Sequence, residues 1–219
     1  SRALLSSRLM ATGSQLDNAR PHREGGGTMT DVPPNLTDLR DEIDALDDAL
    51  LEILERRMAV ASEVARLKGD DGLLKLRPKR EGAIVARLAG KATIASEALI
   101  AHVWRELMAH SRQSQAKMEV RLYAPTAAVA LREAARERFG RVTPIVEAGS
   151  PAEALSAAAS GEVVALIEMD GAAWWRDLPP GVALFGVIGP KEGRALLAGR
   201  MAEADIPDGD RAALTDIVS

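Results

Sequence analysis

The chain has 219 residues, 47% hydrophobic and 27% charged, with 28 basic against 32 acidic side chains, no cysteine and six aromatics (three Trp, two Phe, one Tyr). That length fits one large or two modest domains of roughly 100–200 residues each, and the lack of thiols excludes disulfide scaffolds, thiolate zinc sites and cysteine nucleophiles. A net charge of −4 with few aromatics argues against nucleic-acid binding, and no apolar run nears the roughly 18 residues of a membrane span, so a cytoplasmic protein with neither nucleic-acid nor membrane partners is expected.

Residues 1–35 contain Gly25-Gly26-Gly27 and Pro33-Pro34 and show no apolar periodicity, which predicts a disordered leader. Its first sixteen residues lack acids and carry Arg2 and Arg8, loosely like a transit peptide; a non-native leader ahead of a start at Met29 is the favoured reading. From Leu36 the texture changes. Leu36, Leu39, Ile43, Leu46, Leu50, Ile53, Val60, Val64 and Leu67 recur at helical spacing with no Gly or Pro before Gly69, so one amphipathic helix is predicted, capped by Asn35 or Thr37. Some 32 residues make it about 48 Å long. A helix of that length cannot bury its stripe in its own small domain and needs a coiled-coil partner or an intertwined second subunit.

After a loop at 69–77, Pro78 suits the first position of a short helix that carries Arg80 to Leu88 and stops at Gly90. A third helix runs from a Ser96 cap to about Met118, its stripe being Leu99, Ile100, Val103, Trp104, Leu107, Met108, Ser111 and Gln115. Beyond residue 119 the period switches. Segments 120–124, 142–147, 163–169 and 182–188 read as short buried strands, separated by helical stretches at 126–139, 151–159 and 190–204, the pattern of a small α/β domain with some parallel strands.

Three cations lie on the long helix. Arg57 and Lys68 are eleven residues apart, within about 20° on the helical wheel, and can serve one site. Arg40, seventeen residues before Arg57, lies about 100° round and roughly 25 Å up the axis, so it would reach that site only from a partner chain. Long helices are also lined with Arg and Lys that merely solvate a surface. Ser111 and Gln115, one turn apart, interrupt an apolar stripe, and buried polar groups need partners: either other side chains of the bundle or a ligand in a polar pocket. Arg80-Glu81 sets a cation beside a carboxylate in a first helical turn, where Glu is also an ordinary electrostatic preference.

Taken together, LRDEIDALDDALLEILERRMAVASEVARLK, RPKRE and HSRQSQ closely resemble the all-helical (type II) chorismate mutase family over residues 36–118. The resemblance implies an all-α three-helix domain forming an intertwined homodimer, with two sites each completed by an arginine from the other chain. It implies conversion of chorismate to prephenate with no metal and no cofactor. By resemblance Arg40 is the trans residue, Arg57 and the partner's Arg40 bind the two carboxylates, Lys68 and Gln115 hydrogen-bond the ether oxygen, and Glu81 takes the ring hydroxyl. Arg80 and Ser111 support these contacts. Family members often carry an acid where this chain has Arg77, which is expected to point outward. The remaining residues, 119–219, are read as a degenerate or regulatory α/β domain that resembles a dehydratase half only by position and texture, since no Thr-Arg-Phe signature occurs in it. Trp174-Trp175 reads as a ligand platform or as two aromatics sealing a core, and Gly189-Pro190 as an anion-binding helix start or as a turn. The chain ends without a clear final element. Two competing readings are an isochorismate–pyruvate lyase and a non-catalytic helical dimerisation module with a C-terminal ligand-binding domain.

Overall fold

The computed structural model describes residues 35–69, 72–191 and 193–218; the leader predicted over 1–35 lies, apart from Asn35, outside them. The chain divides into a unit ending at Asp47 and a second unit, Asp48–Ser219. The first contributes the start of helix α1 (Leu36–Lys68). Asn35 caps it: its Oδ1 accepts from the amides of Thr37 (2.9 Å) and Asp38 (3.1 Å), while the Asp38 carboxylate accepts from the Asn35 amide. That reciprocal arrangement satisfies amides that have no partner within the helix. In this unit Leu36, Leu39, Ile43 and Leu46 are exposed.

In the second unit, α1 continues with Leu50, Leu51, Ile53, Val60, Val64 and Leu67 also exposed. Within the chain, α1 turns a different line inward: Leu54, Arg57, Met58, Ala61 and Ala65 are half-buried, at the i, i+3, i+4 and i+7 spacing of one helical face. Helices α2 (Pro78–Ala89) and α3 (Glu97–Gln115) follow. Pro78 opens α2 as expected, and Ser96 caps α3 by accepting from the Leu99 amide at 3.2 Å. The buried sector of α3 is Ile100, Ala101, Met108, Ala109, Ser111 and Arg112, rotated from the expected stripe. Leu99 and Val103 remain exposed.

The rest of the unit is a five-stranded mixed sheet: β1 (Glu119–Tyr123), β2 (Ile145–Glu147), β3 (Val163–Glu168), β4 (Ala183–Ile188) and β5 (Ala195–Gly199), in the order β2-β1-β3-β5-β4. β1 is parallel to both β2 and β3, whereas β5 runs antiparallel between β3 and β4. Helices α4 (Ala128–Phe139) and α5 (Pro151–Ala158) make the two crossovers. Alternation along the strands builds two core layers. Val120, Leu122, Val164, Leu166 and Leu197 point to one side with Leu131, Ala135 and Phe139 of α4; Ala165, Ile167, Leu196 and Ala198 point to the other with Ala154, Leu155 and Ala158 of α5.

Three expectations are corrected. The predicted helical stretch 190–204 contains β5: ALLA favours a helix by propensity, but between Gly193 and Gly199 it is too short for one and lies fully buried between two strands. Gly189-Pro190 therefore precedes a strand and opens no helix. The chain also has a final element, α6 (Asp208–Val218), whose Leu214 joins the second core layer. Trp174 settles into that layer too; its indole Nε1 donates to the Glu168 carbonyl at 3.4 Å and its ring meets Trp175 edge-on at 5.7 Å, the core-sealing alternative for this pair.

The loop between α1 and α2 packs across the sequence boundary drawn at 118/119. Leu74 and Leu76, in the loop between α1 and α2, are fully buried in the first core layer, and the Leu74 amide donates to the Arg200 carbonyl at 2.8 Å. This loop is packed as part of the α/β core. Among the described residues no helix is long and apolar enough to cross a membrane.

Candidate active site

Arg57 projects from α1 onto α3. Its Nη1 donates to the Ser111 hydroxyl at 3.1 Å and, at the limit of a hydrogen bond, to the Leu107 carbonyl at 3.5 Å. Ser111 is buried, and its hydroxyl sits 2.8 Å from the Leu107 carbonyl and 3.4 Å from Met58 Sδ. One turn on, Gln115 Nε2 donates to the Ala61 carbonyl at 3.2 Å. The polar interruptions of the α3 stripe thus face the inward line of α1, and three predicted site residues come together there: Arg57, Ser111 and Gln115. Gln115 also borders a cavity of about 430 Å³ whose wall includes Ser62, Arg66, Lys75, Lys117 and Ser160. The side chain of Lys68 lies outside the described residues. Arg40, in the first unit, is exposed.

Arg80 and Glu81 occupy the first turn of α2. Arg80 is exposed. Glu81 is not turned to Arg57: its carboxylate accepts from Arg112 Nη1 at 2.6 Å and from Arg138 Nη1 at 3.5 Å. On α3, Arg112 is about 100° round from Ser111, so neighbouring residues serve two different sides of the helix. Glu81 and Arg138 border a separate cavity of about 290 Å³ that also takes in Arg105 and Asp210. Arg112 is nearly buried, and its other arm, Nη2, donates to the Phe139 carbonyl at 2.9 Å. Its Nε has no partner among the described residues. Burial pulls the Arg112 guanidinium below its ordinary pKa, against the pull of the Glu81 carboxylate. For Asp210, burial raises the carboxyl while Arg138 draws it down, and the net is upward.

Residues 39–116 match the family model of chorismate mutase type II. A T-protein of Enterobacter agglomerans is 38% identical over 82 residues, covering 36% of this chain and 22% of that protein. The chain therefore spans about a fifth of the length of this relative. No solved structure matches the chain.

Within the matched segment, Arg77, the position expected to depart from the family pattern, is tied down and does not point outward. Arg77 Nη1 donates to the carbonyls of Leu74 (2.6 Å) and Leu76 (3.1 Å), and its Nε pairs with Asp205 Oδ2 at 3.1 Å. An arginine flanked by a loop that enters the α/β core finds carbonyls and an acid there, which hold it more firmly than water does. Arg112 and Arg138 were not singled out by sequence. The signal for Arg112 exists: it lies four residues beyond Met108, hence about 40° round on the apolar side of the helix, where a cation requires a buried partner. Arg138, a cation on a helix end, carries no such signal.

Proposed function

We propose that the chain is a chorismate mutase, rearranging chorismate to prephenate in aromatic amino acid biosynthesis, and that it works as a homodimer. The observation that carries this reading is the Arg57 guanidinium held against the Ser111 hydroxyl inside a segment matched to the chorismate mutase type II family. A half-buried guanidinium whose contacts among the described residues all run through one nitrogen, Nη1, suits a carboxylate of a dianionic substrate. Gln115 stands one turn further along α3, its amide bonded to a main-chain carbonyl that a substrate oxygen would replace.

The reaction is an intramolecular [3,3] shift in which one C–O bond breaks as one C–C bond forms, so no nucleophile or group transfer is required. The protein must hold the enolpyruvyl chain over the ring in the reactive conformer and stabilise negative charge growing on the ether oxygen. In this reading Arg57 and the Arg40 of a partner chain hold the carboxylates, Lys68 and Gln115 donate to the ether oxygen, and Glu81 accepts from the ring hydroxyl. Arg80 supports carboxylate binding and Ser111 orients Arg57. Dimerisation is supported by the apolar residues that α1 leaves exposed in both units, together with Leu99 and Val103 of α3, since a run of this kind demands a cover.

The test is a direct assay of chorismate loss by the whole chain, with prephenate identified as product and isochorismate run in parallel. Prephenate formation is expected, with Lys68→Ala lowering turnover at least about a hundredfold, as for removal of one preorganised donor. Pyruvate release from isochorismate without prephenate formation would favour a lyase instead, and inactivity on both would leave a dimerisation module.

A further inference from the structure

The α/β part of the chain reaches the first turn of α2 at several points, and one of them bears on the site directly. Arg112 bridges two elements: one arm of its fork takes the Phe139 carbonyl at the end of α4, and the other takes Glu81 Oε1. Arg138, from the last turn of α4, approaches Oε2 of the same carboxylate. The α2 start has no side-chain cap of its own, so its placement depends on such outside contacts. Arg77, bonded to Asp205, fastens the residue just before it. The anchor is built into the core: Phe139 is buried there and its carbonyl also accepts from the Thr143 hydroxyl at 2.8 Å.

We infer that Arg112 and Arg138 position Glu81 for the substrate, so that the α/β domain takes part in setting the mutase site. The inference rests on the chorismate mutase reading above. A carboxylate offers about four acceptor positions, and these two arginines engage one on each oxygen. Oε1 is held at 2.6 Å by a buried group, whereas among the described residues Oε2 has only the longer contact at 3.5 Å and keeps an acceptor position for a hydroxyl. Glu81 is thus fixed in direction without being saturated. The arginines act through Glu81 and do not themselves touch the reacting atoms.

Arg138 is about a quarter exposed, so its replacement leaves the core intact and it carries the test; Arg112→Gln, at a buried position, is the harsher companion. In the full chain, Arg138→Gln is expected to lower kcat/KM for chorismate about fivefold, the scale of one loosened charge contact, with Arg138→Lys restoring most of it. In a Glu81→Gln background the same substitution should cause no further loss, because the arginine has nothing left to position. Unchanged kcat/KM in Arg138→Gln, or an equal loss in the Glu81→Gln background, would overturn the inference. If the wild-type chain converts no chorismate, it is the proposed function that fails. The clamp is then read from unfolding midpoints of wild type, Arg138→Gln, Glu81→Gln and the double variant: non-additive shifts support an Arg138–Glu81 coupling, and additive shifts refute it.

Discussion

Leu74 offers the sharpest test of how the helical segment is joined to the sheet. It lies in the α1–α2 loop, has no exposed surface, and packs in the same core layer as Val120, Leu166 and Phe185. A Cβ on Gly199 of β5 would touch its Cδ1, so the sheet is shaped around it. Leu74→Ala removes side-chain atoms from a fully enclosed position, where the loss of transfer free energy and the cavity left behind together cost about 3 kcal/mol. With a urea slope of about 2 kcal/mol/M, that shifts the midpoint down by about 1.5 M. Urea unfolding followed by both far-UV circular dichroism and tryptophan fluorescence checks this, and the exposed Val129→Ala on α4 serves as control, expected within about 0.5 kcal/mol. A midpoint for Leu74→Ala as close to wild type as the control's would refute the claim that this loop belongs to the α/β core.

Two further substitutions probe the same frame. Gly140 terminates α4 at φ +86°, and a Cβ there would collide with the Cβ of Ala109 on α3; Gly140→Ala should destabilise by about 2 kcal/mol or more through strain and overpacking, seen as a lowered urea midpoint. Glu168 is buried at the end of β3, where its carboxylate accepts from the Thr126 hydroxyl and from the amides of Thr126 (2.9 Å) and Ala127 (3.1 Å). Burial raises this carboxyl, but those donors outweigh it and hold the pKa below the ordinary 4.5. A depressed pKa contributes stability above the unfolded value that is lost as pH falls through the folded one. Wild type should therefore exceed Glu168→Gln by about 1–3 kcal/mol near neutrality, with the gap closing below pH 4.5; a gap independent of pH would contradict the assignment.

The helical elements were legible because each carries its own punctuation. Asn35, Pro78, Ser96 and Gly90 mark helix ends chemically, and α1 repeats its apolar residues for nine turns without interruption. β5 and α6 were not legible for opposite reasons. In β5 the local preference of ALLA is overruled by strands on both sides, and α6 has a short apolar pattern that acquires meaning only when Leu214 meets the sheet. Of the candidate site, Ser111 and Gln115 were readable because polar residues on an apolar helix face must find partners, and Arg57 because it shares a face of α1 with Lys68. Glu81 was read as a substrate contact; of its two arginine partners, Arg112 carries the signal of a cation on an apolar helix face, whereas Arg138 reaches Glu81 only through the packing of α4, a long-range event that spacing does not encode. The same holds for Arg77, whose partner Asp205 lies more than a hundred residues away.

Subunit complementation reaches the central claim most directly. Arg40→Ala and Lys68→Ala each disable every site in their own homodimer if the site draws Lys68 from one chain and Arg40 from the other. A mixed dimer then holds one site with both lesions and one with neither. Equal mixing through unfolding and refolding gives half mixed dimers, and hence about a quarter of wild-type chorismate mutase activity. Recovery near that value is the predicted result; activity no higher than that of either variant alone would contradict a site shared between two intertwined chains.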